Sequence, residues 1–214
     1  MTVVSRAVPI LALVASMSCG SGPKVHHPTG KDKPIPLLIW VESETHLSQE
    51  DTLLACEEWK AKGIRCFVVD DKLKSHIQVY ASKEEKCLKN DKGTYTLATA
   101  WRGGRIVFNM GCFGKIGEPN RHKFRSVMVH EIGHHLGIWN HVPLDCKSEG
   151  VKKHPSGKAI CGAAVMNPMY DKDIHFVTPV DALAFDVRDT YIAVVVEPLP
   201  DGVPGEPDCT YLDR

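Results

Sequence analysis

The sequence has no excess of either charge. Its 214 residues contain 26 Lys and Arg against 26 Asp and Glu, so the formal net charge at pH 7 is +0 and the pI is about 7.2. Proteins that bind nucleic acid or an anionic membrane surface through charge are usually basic, so we expect neither partner. The chain also lacks internal repeats and low-complexity blocks, and nothing in it indicates a repeat protein.

The sequence also lacks an apolar run long enough to cross a membrane as a mature helix. Its most apolar stretch, residues 7–17 (AVPILALVASM), has the length of a signal-peptide core, follows a short basic start and precedes small residues. We therefore interpret residues 1–18 as an export signal. The next residues, SMSCGSG, resemble a bacterial lipoprotein processing site, which would place a lipid on Cys19. Ordinary cleavage after Ser18 is the alternative, and a lipid is the one membrane attachment that we expect.

None of the eight cysteines form a CxxC pair, so zinc binding by thiolates is the weaker interpretation. In an exported protein most of them are expected to form disulfides. Sequence alone does not give the connectivity, but Cys146 with Cys161 is the pairing that we favour, because both lie in one loop. Lipidation of Cys19 would leave an odd number of thiols.

The chain divides into a short tether and one domain. Residues 19–35 are rich in Gly, Pro and Lys and are interpreted as a flexible tether. Residues 36–214, about 180 residues, suit a single domain with a sizeable core. The predicted elements are strands over 36–43, 65–71 and 76–82, a helix over 52–63, a hairpin turning at 102–104, a helix from about 121, a last helix starting at 178–181 and an irregular tail over 197–214.

One segment carries most of the chemical information: residues 130–141 read HEIGHHLGIWNH. Positions i and i+4 share a helix face, so His130 and His134 can present imidazole nitrogens to one metal ion, while His135 points away. Glu131 lies beside the first ligand, where its carboxylate can deprotonate a water that the metal holds. Gly137 can adopt the left-handed conformation that ends a helix and turns the chain, which lets a third ligand return.

Twenty-five residues after His141 comes Met166, in the run AVMNPMY. Together the two segments resemble the metzincin clan of zinc metallopeptidases, and the second segment resembles the matrixin version of the methionine turn. The resemblance implies an α+β catalytic domain with a small mixed, twisted sheet, an active-site helix, a methionine turn and a C-terminal helix. It also implies that Met166 is an apolar support beneath the ligands and that Tyr170 shapes the pocket floor.

The identity of the third ligand is left open by one departure from the family pattern. The position that the family gives to its third histidine holds Asn140, and His141 follows it. Imidazole is a far better zinc ligand than an amide oxygen, so we favour His141. A glutamate such as Glu149 is a third, less favoured candidate.

The family resemblance also suggests where a peptide would bind. The strand of the hairpin that precedes residue 102 would form the sheet edge above the cleft, so substrate is expected near Leu97, Ala98 and Thr99. An ordinary hairpin without a ligand is an equal alternative. We therefore expect an exported, monomeric zinc endopeptidase that acts on proteins or peptides. The alternative is an exported surface or binding lipoprotein that keeps the scaffold without catalysis.

Overall fold

The computed structural model describes residues 35–43, 47–83, 86–87, 89, 93–113, 118–188 and 207–213, and for 118–120 and 207–213 it describes the backbone. The predicted export signal over 1–18, the lipidation site Cys19 and the tether up to residue 34 lie outside the described residues. The first strand begins at Ile35, one residue before the predicted domain boundary.

The described residues form a six-stranded mixed sheet, which confirms the α+β class. Its order is β2-β1-β3-β5-β4-β6, with β1, β2, β3 and β5 parallel and β4 antiparallel to both of its neighbours. The strands are β1 (Ile35–Val41), β2 (Ile64–Val68), β3 (Ile77–Ala81), β4 (Tyr95–Trp101), β5 (Arg105–Phe108) and β6 (Pro207–Asp213).

Three α-helices accompany the sheet in the described part of the chain: α1 (Gln49–Glu57), α2 (Glu118–His135) and α3 (Pro179–Asp186). Ser48 caps α1 as predicted, and a 3₁₀ turn continues the helix to the left-handed Gly63. Thr178 and Asp181 form the predicted capping box of α3, with proline in its first turn. No helix of the described residues is long and apolar enough to cross a membrane.

Helices α1 and α2 are joined by a buried carboxylate. Asp51, only 1% exposed, accepts hydrogen bonds from Arg121 Nε at 3.1 Å and from Arg125 Nε at 2.8 Å. Burial by itself raises the pKa of Asp51, but the two guanidinium groups outweigh that effect and hold the pKa below its usual value. Nearby, Trp59 Nε1 donates 3.1 Å to the Val129 carbonyl in the middle of α2. These contacts fix α2 against the rest of the core.

Six cysteines form the disulfides Cys56–Cys66, Cys87–Cys112 and Cys146–Cys161. The third is the pairing favoured from the sequence, which is confirmed. Disulfides are typical of proteins that mature in an oxidising compartment. The side chains of the two remaining cysteines, Cys19 and Cys209, are not among those that the structure describes.

Two expectations about the sheet are wrong. Residues 207–213 of the predicted irregular tail form strand β6, and β6 pairs with β4. Strand β4, which contains Leu97, Ala98 and Thr99, is therefore an interior strand of the sheet and does not form its edge. Little in the sequence indicates β6, because the Pro and Gly residues around it favour an irregular structure and its hydrogen bonds depend on the partner strand.

Candidate metal centre

Helix α2 carries the first two histidines of the candidate centre, and its end positions the third. His130 and His134 lie one turn apart and are completely buried. The helix ends at His135, and two residues later Gly137 turns the chain with a left-handed φ of 99°, as predicted. The Gly137 N–H donates to His134 O and the Ile138 N–H donates to Gly133 O, so the last helical carbonyls are satisfied while the chain turns back.

The turn brings His141 to the two helical histidines. The ligand atoms of His130, His134 and His141 all lie within 4.8 Å of one another, and the group could hold a metal ion. The His141 ring centroid is 5.1 Å from each of the other two ring centroids. Asn140 and Glu149, the other third-ligand candidates, are both exposed. The position of His141 therefore favours neither Asn140 nor Glu149 as the third ligand.

Backbone carbonyls orient the two helical imidazoles. His130 Nδ1 lies 2.6 Å from Val165 O, and His134 Nδ1 lies 2.8 Å from Ile138 O. A proton on each Nδ1 satisfies these carbonyls and leaves Nε2 with its lone pair available. This is the tautomer that a metal-binding histidine requires.

The protonation of the three rings also suits a metal. Burial is the main cause that lowers the pKa of His134 to about 3 and that of His141 to about 4. Burial likewise lowers the pKa of His130 well below its usual value, and the neighbouring histidines lower it further. All three imidazoles are therefore neutral near pH 7, and neutral imidazole is the form that binds metal.

The donor atoms give a test of fit for zinc. Within the described residues, Nε2 of His134 and Nε2 of His141 are buried without a hydrogen-bond partner, which is costly unless another group satisfies them. Nitrogen ligands at a tetrahedral zinc with bonds of about 2.0–2.1 Å are roughly 3.4 Å apart, so a separation within 4.8 Å needs little adjustment. Three imidazoles with a fourth position left over are a donor set that zinc uses. The residues fit the ion.

Glu131 follows His130 in α2, and its environment penalises a negative charge. It is fully buried, and neither carboxylate oxygen makes a hydrogen bond of regular geometry with the described residues. Burial raises the pKa of its carboxyl well above the usual range, and the backbone N–H of Ala100 on β4 opposes part of that rise. A bound dication would favour the ionised form, because opposite charges stabilise each other strongly at a buried site.

The methionine turn is held under α2 by a second buried carboxylate. Asp181, at the start of α3, accepts hydrogen bonds from the Val165 and Met166 backbone N–H groups, each at 3.0 Å, and from the N–H and hydroxyl of Thr178, each at 2.8 Å. The Val165 carbonyl in turn contacts His130. Asp181 thus connects α3 to the carbonyl that orients a candidate ligand.

Asn167 joins the same turn to the loop that carries His141. Its Nδ2 donates to Val142 O at 2.8 Å and to Gly162 O at 3.0 Å, and its Oδ1 accepts from Ala164 N at 2.8 Å. The Val142 N–H also donates to Met166 O. The residue that follows His141 is therefore bonded from both sides to the methionine turn.

Met166 packs against α2 at a position where only glycine leaves room. A Cβ added at Gly133 would clash with Met166 Sδ and would lie 2.9 Å from Trp59 Cζ2. Gly133 lies between His130 and His134 in sequence, so the thioether contacts the helix next to both candidate ligands. Sequence reasoning missed Gly133, Asn167 and the second role of Asp181. A glycine in a helix interior was the one usable signal, since it costs about 1 kcal/mol relative to alanine and needs a packing reason.

The remaining predicted residues lie around the cluster. His135 is outside it, as predicted, and its ring interacts with the Arg105 backbone on β5. Tyr170 packs against the core with the Lys123 ammonium 5.4 Å from its ring centroid. The Trp139 ring lies nearly parallel to His134, at 7°, with 6.3 Å between centroids.

A pocket opens beside His141. The segment from Gly137 to Pro143 supplies much of its wall, and the end of α3 with the residues after it and the loop closed by Cys146–Cys161 supply the rest. The lining side chains are mostly apolar, with two basic groups: Ile138, Val142, Ile160, Ala184, Val187, Lys152 and Arg188.

Comparison with known proteins does not assign the chain to a family. No protein-family model matches the sequence, and no curated protein matches it significantly.

Proposed function

We propose that the protein is an exported, zinc-dependent endopeptidase of the metzincin type. The observation that carries the proposal is the buried group His130, His134 and His141, which has Glu131 next to its first member and the methionine turn against its helix. A structural histidine cluster does not require a buried carboxyl group without regular hydrogen bonds at its side. A metal-dependent hydrolase uses such a group, because a carboxylate close to the ion can act as its general base.

Each residue has a distinct role in this proposal. The three imidazoles would hold zinc, with the fourth position open. When bound, the ion would supply a Lewis acid that polarises the scissile carbonyl and acidifies water. Glu131 would accept the proton of the attacking water and deliver it to the leaving amine. The pocket beside His141 would receive a substrate side chain, chiefly an apolar one.

The metal and the chemistry are tested separately. Zinc content of the purified protein is measured for the wild type, His141→Ala and the matched control Asn140→Ala. We expect one zinc per chain in the wild type and in Asn140→Ala, with a large loss of zinc in His141→Ala. Loss of zinc in Asn140→Ala together with retention in His141→Ala would assign the third ligand to the amide.

Cleavage of casein or gelatin, with and without a chelator, tests the reaction. Glu131→Gln should keep its zinc and lose about 10²–10⁴-fold in rate, the usual contribution of a general base. Full activity in that variant would refute the mechanism. Stoichiometric zinc without turnover of any unfolded protein would instead support the alternative, an exported binding protein with a catalytically silent scaffold.

Export and lipidation belong to the same proposal. Three disulfides support maturation in an oxidising compartment. Mass spectrometry of the mature amino terminus would separate a lipid-modified Cys19 from simple cleavage after Ser18.

A further inference from the structure

Strand β6 lies along the strand where a peptide substrate was expected to add. The ladder runs antiparallel from Tyr95 opposite Asp213 to Trp101 opposite Pro207. It pairs two of the three predicted substrate positions: Ala98 is opposite Tyr211 and Thr99 is opposite Thr210, while the register shifts between Thr96 and Ala98, around Leu97. One edge of a strand can pair with only one partner at a time, so β6 and an added peptide would exclude each other.

The pairing of β4 with β5 shows which backbone groups of β4 face β6. The Asn109 N–H donates to Leu97 O at 2.9 Å, so Leu97 directs its backbone groups toward β5. Successive residues of a strand alternate in direction. Ala98 and Ala100 therefore direct their N–H and C=O groups toward β6, and their partners Tyr211 and Cys209 direct theirs toward β4.

The same edge of β4 lies close to the helix that carries the proposed general base. Helix α2 contacts both β4 and β6. The β4–β6 register also shifts between Ala100 and Trp101. Strand β6 thus lies against the helix that carries His130, Glu131 and His134.

We infer that β6 is an intramolecular occupant of the peptide-binding edge of β4 and must leave that edge before an extended peptide can bind. The inference rests on the proposed function, because the extended peptide that binds to the freed edge of β4 would be the substrate of the peptidase. Displacement breaks the backbone hydrogen bonds of the β4–β6 ladder. The protein would then exist in a closed form, with β6 paired, and an open form in which β4 offers its edge.

Proline substitutions in the full-length protein test this directly. Tyr211→Pro removes an N–H that faces β4, whereas Thr210→Pro removes one that faces away and serves as the matched control. Tyr211→Ala keeps the N–H and controls for loss of the side chain. The probe is a fluorescent peptide with the sequence of residues 206–213, in which serine replaces cysteine, and its binding is followed by anisotropy. Zinc content and melting temperature establish that each variant is folded.

We expect Tyr211→Pro to bind the peptide at least tenfold more tightly than the wild type, Thr210→Pro and Tyr211→Ala. Its rate of casein cleavage should rise in parallel. Equal peptide affinity in all four proteins would overturn the inference, even if all of them cleave casein. Tighter binding by Tyr211→Pro without cleavage in any protein would support the displaceable strand and count against the peptidase.

Discussion

Replacement of Asp181 tests whether one carboxylate holds the methionine turn in place. In Asp181→Ala, the N–H groups of Val165, Met166 and Thr178 lose their acceptor in a buried environment. Each unsatisfied buried donor costs about 1–3 kcal/mol, so three predict a loss of at least about 3 kcal/mol in the free energy of unfolding.

The amide variant gives a finer test, because it keeps the shape of the side chain. The Oδ2 atom accepts three of the four bonds and Oδ1 accepts only that of Met166. Asp181→Asn can keep its oxygen at the Oδ2 position, and its NH₂ group then faces the Met166 N–H. One donor is left unsatisfied, so we expect a loss of about 2 kcal/mol.

Urea unfolding followed by circular dichroism measures both losses, and competition with a zinc indicator measures the metal site. Zinc affinity should fall about tenfold in Asp181→Asn, since groups that orient a ligand typically contribute 10–100-fold. The reasoning is refuted if Asp181→Asn is as stable as the wild type, or if Asp181→Ala costs no more than Asp181→Asn.

Three further predictions concern packing, pH and the disulfide near the site. Gly133→Ala should lower the free energy of unfolding by about 1–2 kcal/mol, because the added methyl group overpacks the contact with Met166. Met166→Ala should then cost less stability in the Gly133→Ala protein than in the wild type, and a double-mutant cycle measured by urea unfolding would detect the difference. The folded-state pKa of Asp51 is lowered, so its stabilisation is present above the unfolded-state pKa and is lost as pH falls through the folded one. Unfolding at pH 6 and pH 3 should therefore show a larger acid-induced loss in the wild type than in Asp51→Asn. Replacement of both Cys146 and Cys161 by serine opens a 15-residue loop and should cost about 3 kcal/mol by thermal or urea unfolding.

The sequence predicted those parts of the fold that depend on local pattern. The cap at Ser48, the left-handed Gly63 and the capping box before α3 are set by neighbouring residues, and all three are present. Helix spacing placed His130 and His134 on one face for the same reason. Strand β6 was missed because its ladder depends on a partner far away in the chain.

The residues that hold the candidate site in place could not be predicted from the sequence either. Gly133 is needed because two side chains distant in sequence approach the helix there, and Asp181 reaches a turn that lies fifteen or sixteen residues before it. Neither requirement leaves a periodic pattern. By contrast, the pairing of Cys146 with Cys161 was accessible because both cysteines lie in one loop.

The β4–β6 ladder also has a consequence for the order of folding. Residues paired in the other ladders of the described sheet are separated by short stretches of chain, whereas Ala100 and Cys209 are more than one hundred residues apart. Closure of a longer loop costs more conformational entropy and slows the contact that depends on it. We expect the β4–β6 ladder to form last, after β4 and β5 have paired. Until then the outer edge of β4 is exposed and can pair with a strand of another molecule, so refolding yield should fall as protein concentration rises.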